Sequence, residues 1–296
     1  MDQPSRAARD RGVYGRRRSS IAALAPRGIY SATLTPFDGE YRPDASLAIP
    51  YYRSLLERGC DGLNILGTTG EAMSVTPADR MRFMESVAGA LPAEKFMAGT
   101  GAAALHDAIA LTRAAFASGF GAALVIPPFY YRDISDTGIL QFFDAVFSGA
   151  SPPQGGILLY NFPRMCGITF HAGLVELLLK EFPGLIGGMK DSSNDLALER
   201  ELHARYPEFA ILPGSEELLP AVIEEGLAGC ISGSVCLWPE LAAEAWANRD
   251  LARANEVRRI RLDLPVPFIA AVRARVAAEQ KNEAWLRSIP PLMPAG

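Results

Sequence analysis

Short apolar segments alternate with longer amphipathic segments along most of this chain. From Gly28 onward an apolar segment recurs roughly every 25–35 residues, and runs of this length are typical of strands buried on both faces. Glycine, proline and polar residues mark where each segment ends. The pattern predicts strands at 29–34, 62–66, 96–99, 122–126, 156–160, 185–189, 210–212 and 229–232.

The segments between these strands carry apolar residues at helical spacing and contain typical helix signals. Thr76 and Pro77 supply a capping side chain and a proline at the first helical position, and glycines follow several of the predicted helices. The predicted helices between the strands include 47–58, 77–89, 106–118, 138–147, 172–182, 195–206 and 216–225, and the chain from about Pro239 onward is also predicted to be helical.

Eight strand–helix units in succession predict an α/β fold, a parallel (β/α)8 barrel of the TIM barrel type. The alternative is a doubly wound open sheet, which usually has a glycine-rich phosphate-binding turn after its first strand. Here the first strand runs into Thr35-Pro36-Phe37-Asp38, which is no such turn. We therefore expect a barrel over residues 27–238 and a C-terminal helical bundle over 239–296.

The first 26 residues differ in composition from the rest of the chain. They contain six arginines and few large apolar residues, so they cannot bury enough surface to become ordered. A transit-like peptide is one alternative, although Asp2 and Asp10 fit it poorly and no apolar signal core is present. We expect residues 1–26 to be a disordered extension or the result of a misplaced start codon.

Composition narrows the range of functions. A hydrophobic fraction of 49% with 21% charged residues is ordinary for a soluble enzyme, and a net charge of −4 argues against general nucleic-acid binding. The 4 cysteines lack zinc-ribbon spacing and fit a reducing compartment, so a cytoplasmic protein is expected. The 3 histidines form no metal-ligand pattern, and no apolar run is long enough to span a membrane.

Lys190 has the most informative position of the lysines. It closes the apolar strand 185–189 and is followed at once by Asp191, Ser192 and Ser193, as at the C-terminal mouth of a buried parallel strand. Desolvation disfavours the charged form of an amine, and a neutral amine can attack a ketone to form a Schiff base. The alternative is that Lys190 only extends to the surface at a strand end. From this segment alone, that is the simpler interpretation.

In a (β/α)8 barrel the catalytic groups gather where the strands end. The second strand leads into Gly-Thr-Thr-Gly-Glu at 67–71, whose hydroxyl and backbone N–H groups can hold a small anion such as a carboxylate. The fourth strand leads to Tyr130, the fifth to Tyr160 and the eighth to Ile231. A tyrosine at this rim can carry protons, although a packing aromatic and an ordinary turn are the alternatives.

Three motifs together resemble the family of pyruvate-dependent class I aldolases and lyases. This family includes dihydrodipicolinate synthase, N-acetylneuraminate lyase, and 2-keto-3-deoxy sugar acid aldolases and dehydratases. Each motif is weak alone, but their order and spacing are specific in combination, and the resemblance extends over about residues 28–290. The motifs are Gly67-Thr68-Thr69-Gly70-Glu71, Tyr160-Asn161-x-Pro163-x-x-x-Gly167 and Gly188-x-Lys190-Asp191-Ser192.

The resemblance implies covalent catalysis by Lys190. This residue would attack the keto carbon of pyruvate, or of a 2-keto acid that releases pyruvate, and Tyr160 would move the protons. Because the lysine itself provides the electron sink, no metal or diffusible cofactor is implied.

The resemblance also implies a binding site and an assembly. The implied carboxylate- and pyruvate-binding residues are Gly67, Thr68, Thr69 and Ile231, the last through its carbonyl group. Thr69 would also link Tyr160 to Tyr130, which in this family reaches across from a neighbouring subunit. A homo-oligomer is therefore implied, a homotetramer built as a dimer of dimers.

One position departs from the dihydrodipicolinate synthases, which carry an arginine two residues after the motif proline to bind the second substrate's carboxylate. Met165 stands there, and the arginine is one residue earlier, at Arg164, where its side chain points in another direction. An apolar residue here, with Ser192 in the Lys-Asp-Ser-Ser segment, resembles the sugar-acid and hydroxy-oxoglutarate enzymes. Glu216 lies where such enzymes hold polyol hydroxyls, with a charged first helical turn as the alternative.

Three functions follow. The leading hypothesis is a Schiff-base-forming lyase, an aldolase or dehydratase, that acts on a 2-keto-3-deoxy sugar acid or a related 2-keto acid and releases or uses pyruvate. The alternative enzyme is a 4-hydroxy-tetrahydrodipicolinate synthase, which condenses pyruvate with aspartate semialdehyde. A non-catalytic barrel that binds a keto acid is the third, but it should have lost Lys190, Tyr160 or Thr69, all of which are present.

Overall fold

The computed structural model describes residues 25–292 and contains one parallel sheet of eight strands. All the predicted strands are present, with bounds that differ by a few residues at their ends. Predictions for residues 1–24 and 293–296 lie outside the described residues. The strands are β1 Gly28–Ala32, β2 Gly62–Ile65, β3 Phe96–Gly99, β4 Ala122–Val125, β5 Ile157–Asn161, β6 Ile186–Asp191, β7 Ala210–Pro213 and β8 Gly229–Ser232.

The strands lie side by side in chain order from β1 to β7, and β8 pairs with β1. All of these pairings are parallel. Between β7 and β8, the backbone N–H of Ala228 donates to the carbonyl oxygen of Ile211 at 3.0 Å. The sheet is therefore a nearly closed barrel, which confirms the predicted TIM barrel and brings the C-terminal ends of the strands to one rim.

Helices connect the strands on the outside of the barrel. Side-chain caps fix where several begin; Thr76 accepts a hydrogen bond from the backbone N–H of Asp79, and Asp44 and Asp195 cap the helices that follow them. The helices are α1 Ala45–Glu57, α2 Pro77–Ala88, α3 Leu105–Ala117, α4 Asp136–Ala150, α5 Pro163–Cys166, α6 Ala172–Glu181, α7 Leu196–Arg205 and α8 Leu219–Glu225.

The C-terminal extension is helical, as predicted, over its described part. It contains α9 Pro239–Ala247, α10 Leu251–Leu262 and α11 Phe268–Gln280. Buried side chains of this extension belong to the same hydrophobic cluster as the residues between the sheet and the outer helices. The extension therefore shares the core of the barrel. Its buried members include Ala242, Val257, Val272 and Trp285.

The first described residue packs against the start of the barrel. Ala25, which the sequence assigned to the polar extension, is only 9% exposed. It packs in the cluster inside the barrel, together with Ala122, Ala210 and Ala228, which stand at or just before the beginnings of their strands. An apolar side chain here closes the N-terminal end of the lumen, so Ala25 is part of the barrel.

Alternation along the strands separates two layers of side chains. In β5, Leu158 and Tyr160 belong to the cluster inside the barrel, whereas Leu159 belongs to the cluster under the helices. In β6, Met189 belongs to the outer cluster, so its neighbour Lys190 faces the lumen. The residues that follow Tyr160 and Lys190 therefore face the helices.

Candidate active site

Neighbouring strands β5 and β6 bring Tyr160 and Lys190 together near the C-terminal rim. The two residues pair in register, and Nζ of Lys190 lies 4.7 Å from the centroid of the Tyr160 ring. Their side chains are nearly buried, with exposed fractions of 5% for Lys190 and 4% for Tyr160. The amine and the phenol therefore lie close together in a space that is largely closed to solvent.

The turn after β2 brings a hydroxyl to the tyrosine, but not the predicted one. Oγ1 of Thr68 lies 3.3 Å from the hydroxyl oxygen of Tyr160. Thr69 points toward β8 instead, since a Cβ atom added at Gly233 would lie 2.8 Å from Oγ1 of Thr69. Adjacent side chains in this tight turn face different directions, so the link to Tyr160 implied for Thr69 is made by Thr68.

A small, partly open cleft lies beside Thr68 and Tyr160. Its walls are the turn after β2 and the ends of β3 and β4, including Gly67, Gly99 and Ile126. A Cβ atom at Gly99 would collide with the carbonyl oxygen of Leu66, so the end of β3 approaches the turn as closely as glycine allows.

The last residue of the 67–71 motif, Glu71, is buried and holds the turn to the C-terminal extension. Its Oε1 accepts hydrogen bonds from Nε of Arg273 at 2.8 Å and from Oγ of Ser288 at 2.6 Å. Its Oε2 accepts the backbone N–H of Ile289 at 2.8 Å. Burial lowers the pKa of Arg273, and the charge of Glu71 acts in the opposite direction. Sequence reasoning missed these partners, because no local pattern links residues 202 positions apart.

Polar residues on the outer face of β5 and β6 support the two strand ends. Nδ2 of Asn161 donates to Oδ1 of Asp191 at 2.8 Å, and Oδ1 of Asn161 accepts the backbone N–H of Phe170 at 3.0 Å. Ser192, a predicted substrate-binding residue, donates its backbone N–H to the carbonyl oxygen of Asn161 at 2.8 Å. Its hydroxyl lies against Gly214, where an added Cβ atom would collide with it.

Glu216 has no free carboxylate oxygen for a substrate hydroxyl. It is fully buried, and it accepts hydrogen bonds from the hydroxyl groups of Ser232 and Ser234. Nε of Arg261 lies 4.0 Å from its Oε2. The polyol-binding role expected for Glu216 is therefore not supported; the carboxylate joins the loop after β7 to the loop after β8. Ile231 of β8 belongs to the cluster inside the barrel.

Two predicted site residues, Tyr130 and Met165, lie on the open rim together with Tyr131, the neighbour of Tyr130. Tyr130 and Tyr131 are 75% and 71% exposed, and their ring centroids lie 5.3 Å apart in an edge contact. Met165 of α5 is 48% exposed. Within residues 25–292, no hydrogen bond joins Tyr130 to Tyr160 or to Thr69. A single chain therefore does not complete the predicted relay.

Residues 25–292 contain no group of three or more His, Cys, Asp or Glu side chains placed to hold a metal ion. None of the helices in this part of the chain is long and apolar enough to cross a membrane.

Known proteins resemble this chain over most of its length. The model of the Dihydrodipicolinate synthetase family matches residues 25–276. An uncharacterized DapA-like lyase from Chloroflexus aurantiacus is 38% identical over 218 residues, which cover 73% of this chain and 73% of that protein.

Two crystal structures extend the comparison. Dihydrodipicolinate synthase from Agrobacterium tumefaciens is 28% identical, with a TM-score of 0.84 over 91% of this chain and 94% of that one. The second structure is YagE in complex with pyruvate, a prophage protein of the dihydrodipicolinic acid synthase family from E. coli K12. It is 25% identical to this chain, with a TM-score of 0.82 over 91% of this chain and 93% of that one. The chain therefore belongs to the dihydrodipicolinate synthetase family, and it is an enzyme, a class I aldolase or lyase.

Proposed function

We propose that this enzyme is a Schiff-base-forming lyase, an aldolase or dehydratase, for a 2-keto-3-deoxy sugar acid or a related 2-keto acid. Lys190 is the amine, Tyr160 the proton carrier, and Gly67, Thr68 and Thr69 hold the substrate carboxylate. The observation that carries the proposal is the 4.7 Å approach of Nζ of Lys190 to the Tyr160 ring at the end of two paired strands. The pyruvate complex of YagE supports a keto acid as the ligand.

The reaction begins when the amine nitrogen of Lys190 adds to the keto carbon of the substrate, and the nitrogen passes one of its protons to the oxygen to give a carbinolamine. Tyr160 gives a proton to the resulting carbinolamine oxygen, which leaves as water and yields an iminium ion. In aldol cleavage, the C4 hydroxyl loses its proton to the Tyr160 phenolate, and the electrons of the C3–C4 bond move into the iminium to form an enamine and an aldehyde. In dehydration, the Tyr160 phenolate takes the C3 proton to form the enamine, and Tyr160 then returns this proton to the C4 hydroxyl, which the enamine expels as water.

Thr68 supports this role for Tyr160. Its hydroxyl lies 3.3 Å from the phenol, so a proton can pass between the two oxygens after a small movement. Ile231 would line the pyruvate site through its backbone carbonyl. Glu216 has no part in the proposal, because serine hydroxyls occupy both of its oxygens.

Met165 favours the sugar-acid branch over aspartate semialdehyde condensation. It is half-exposed on α5, shortly after Tyr160, and offers no charge to a second carboxylate. The synthase remains the second candidate because the crystal structure of a dihydrodipicolinate synthase resembles this chain at 28% identity.

A trapping experiment followed by a substrate panel tests the proposal. Borohydride added with pyruvate is expected to fix a pyruvate-derived group on the peptide that contains Lys190, as mass spectrometry would show. A panel of 2-keto-3-deoxy acids, a hydroxy-oxoglutarate, and pyruvate with aspartate semialdehyde then identifies the branch. Turnover only with aspartate semialdehyde would replace the leading function by the synthase, and failure to trap pyruvate would contradict both.

Thr68→Val is expected to lower kcat by about 10²-fold, because it removes a hydroxyl from the proton path at nearly constant volume. Thr69→Val is the matched control. Its hydroxyl points away from Tyr160, so we expect a higher KM for the keto acid with a much smaller change in kcat. Steady-state kinetics of both variants measure this difference, and equal losses of kcat would contradict the assignment of Thr68.

We propose that the enzyme is a homo-oligomer, a dimer of dimers, in which Tyr130 completes the site of a neighbouring subunit. Two observations support this arrangement. The ring of Tyr130 is exposed, and within residues 25–292 no hydrogen bond joins Tyr130 to Tyr160 or Thr69. Tyr130→Phe is expected to lower kcat by about 10²-fold, whereas Tyr131→Phe should lose little. Mixing inactive Lys190→Ala and Tyr130→Phe protomers should then restore some active sites. A monomer by light scattering, or equal rates for the two phenylalanine variants, would exclude it.

A further inference from the structure

A buried hydrogen-bonded pair of side chains, Asn161 and Asp191, lies directly behind the two proposed catalytic residues. Asn161 follows Tyr160 in β5 and Asp191 follows Lys190 in β6, and these two followers pair in register on the face that points away from the lumen. The hydrogen bond from Nδ2 of Asn161 to Oδ1 of Asp191, 2.8 Å long, therefore ties together the strand ends that carry the phenol and the amine.

The Asp191 carboxylate accepts hydrogen bonds from several donors. Besides Asn161, the backbone N–H of Ser193 donates to Oδ1 at 3.0 Å and the hydroxyl of Ser193 donates to Oδ2 at 2.8 Å. Groups that donate to a carboxylate favour its ionised form. Burial has the larger and opposite effect and raises the pKa of Asp191 above its usual value.

A second acid, Glu199 of α7, packs against this carboxylate. Glu199 is fully buried, and no donor among residues 25–292 other than a carboxyl group reaches either of its side-chain oxygens. The charged groups that act on it are Asp191 and Asp195, the latter at the start of the same helix. Both are acids. Two buried carboxylates in contact repel each other strongly, whereas one proton between them converts the contact into a short, charge-assisted hydrogen bond.

Burial first, and then the charge of Asp191, raise the pKa of Glu199 to about 9. Because Asp191 has donors around it and Glu199 has none, the proton belongs on Glu199. A proton held on Glu199 would let its carboxyl group donate a hydrogen bond to the Asp191 carboxylate.

We infer that Glu199 is a positioning residue for the Schiff-base lysine, and that it acts through its acid proton on Asp191, the residue next to Lys190. The inference rests on the proposed function for the role of Lys190. The proton of Glu199 holds the Asp191 carboxylate against Asn161, which keeps the ends of β5 and β6 in register. Ionisation of Glu199 would place two negative charges behind β6 and push Asp191, with Lys190 beside it, out of position.

The pH dependence follows from the direction of the pKa change. A raised pKa means that the fold binds the proton more tightly than the unfolded chain. The stabilisation of the fold by the Glu199 proton is therefore complete below pH 4.5, the ordinary pKa of a glutamate, and it is lost as the pH rises through about 9. The rate of imine formation should fall over the alkaline part of this range. At pH 10 the remaining acid form would be about a tenth, so the expected loss is about tenfold.

The test compares Glu199→Gln with the wild type from pH 6 to pH 10. Glutamine keeps the shape and can donate a hydrogen bond to Asp191 without titrating. Glu201→Gln is the matched control, since Glu201 lies on the same helix and its exposed carboxylate pairs with Arg205. The measured rate is single-turnover trapping of pyruvate by borohydride. We expect the wild type and Glu201→Gln to lose about tenfold near pH 10, and Glu199→Gln to lose much less.

A second measurement does not depend on catalysis. In wild-type protein labelled with ¹³C at the glutamate carboxyl carbon, one glutamate signal should titrate near pH 9 and be missing in Glu199→Gln. Absence of such a signal would overturn the inference, as would an unchanged alkaline fall in Glu199→Gln. If the wild type shows the signal but traps no pyruvate, the proposed function fails and the acid pair stands alone as a stabilising contact.

Discussion

Lys190→Ala is expected to abolish the covalent trapping of pyruvate and to lower turnover by roughly 10⁴-fold or more, since loss of a covalent nucleophile removes the whole reaction path. The variant loses the amine that faces Tyr160 in the lumen, and no other lysine takes its place there. Trapping with borohydride, followed by mass spectrometry of the intact protein, measures the result.

Lys95→Ala is the matched control for this substitution. Lys95 is exposed in the turn just before β3, at the opposite end of the barrel from the site. We expect its removal to leave trapping and turnover unchanged. Thermal unfolding of both variants separates loss of chemistry from loss of fold. A pyruvate adduct on Lys190→Ala would show that another amine carries the reaction.

Glu71→Ala is expected to lower the free energy of unfolding by about 3–5 kcal/mol, because it leaves the fully buried guanidinium of Arg273 without its carboxylate. Ser288 and the backbone N–H of Ile289 lose their acceptor at the same time. Urea denaturation measures the loss. Activity should fall further than stability predicts, because Glu71 also fixes the turn that carries Thr68.

A double substitution separates the ion pair from its surroundings. Glu71→Leu with Arg273→Met replaces both charges by apolar side chains, so the combined loss should be clearly smaller than the sum of the single losses. Glu244→Ala is the control for an exposed pair, since Glu244 and Arg253 are about half-exposed, and little change is expected. A loss for Glu71→Ala no greater than that for Glu244→Ala would contradict the importance of the buried pair.

The sequence was most informative where chemistry and local pattern coincide. Lys190 and Tyr160 each close a strand, and strand ends of a (β/α)8 barrel meet at one rim, so their proximity followed from the alternation of elements. Their inward direction also followed, because side chains alternate along a strand.

The orientation of residues in turns and the pairing of distant residues were not predictable in this way. Thr68 and Thr69 are identical and adjacent, and only the path of the turn decides which hydroxyl meets Tyr160. Glu216 resembled a substrate-binding acid, but Ser232 at the end of β8 and Ser234 just after it donate hydrogen bonds to its two oxygens. Such contacts depend on tertiary packing, which the hydrophobic periodicity of the sequence does not predict.

The hydrogen bonds of Glu71 with the C-terminal extension have a consequence for synthesis of the protein on the ribosome. The turn that carries Thr68 is made early, but its anchors, Arg273, Ser288 and Ile289, lie 202 to 218 residues later. The barrel strands can all pair before these anchors emerge, since β8 ends at Ser232. Nascent chains released before Ile289 would therefore have a nearly complete barrel without a fixed turn after β2, and the geometry beside Tyr160 would be completed only after Ile289 has emerged.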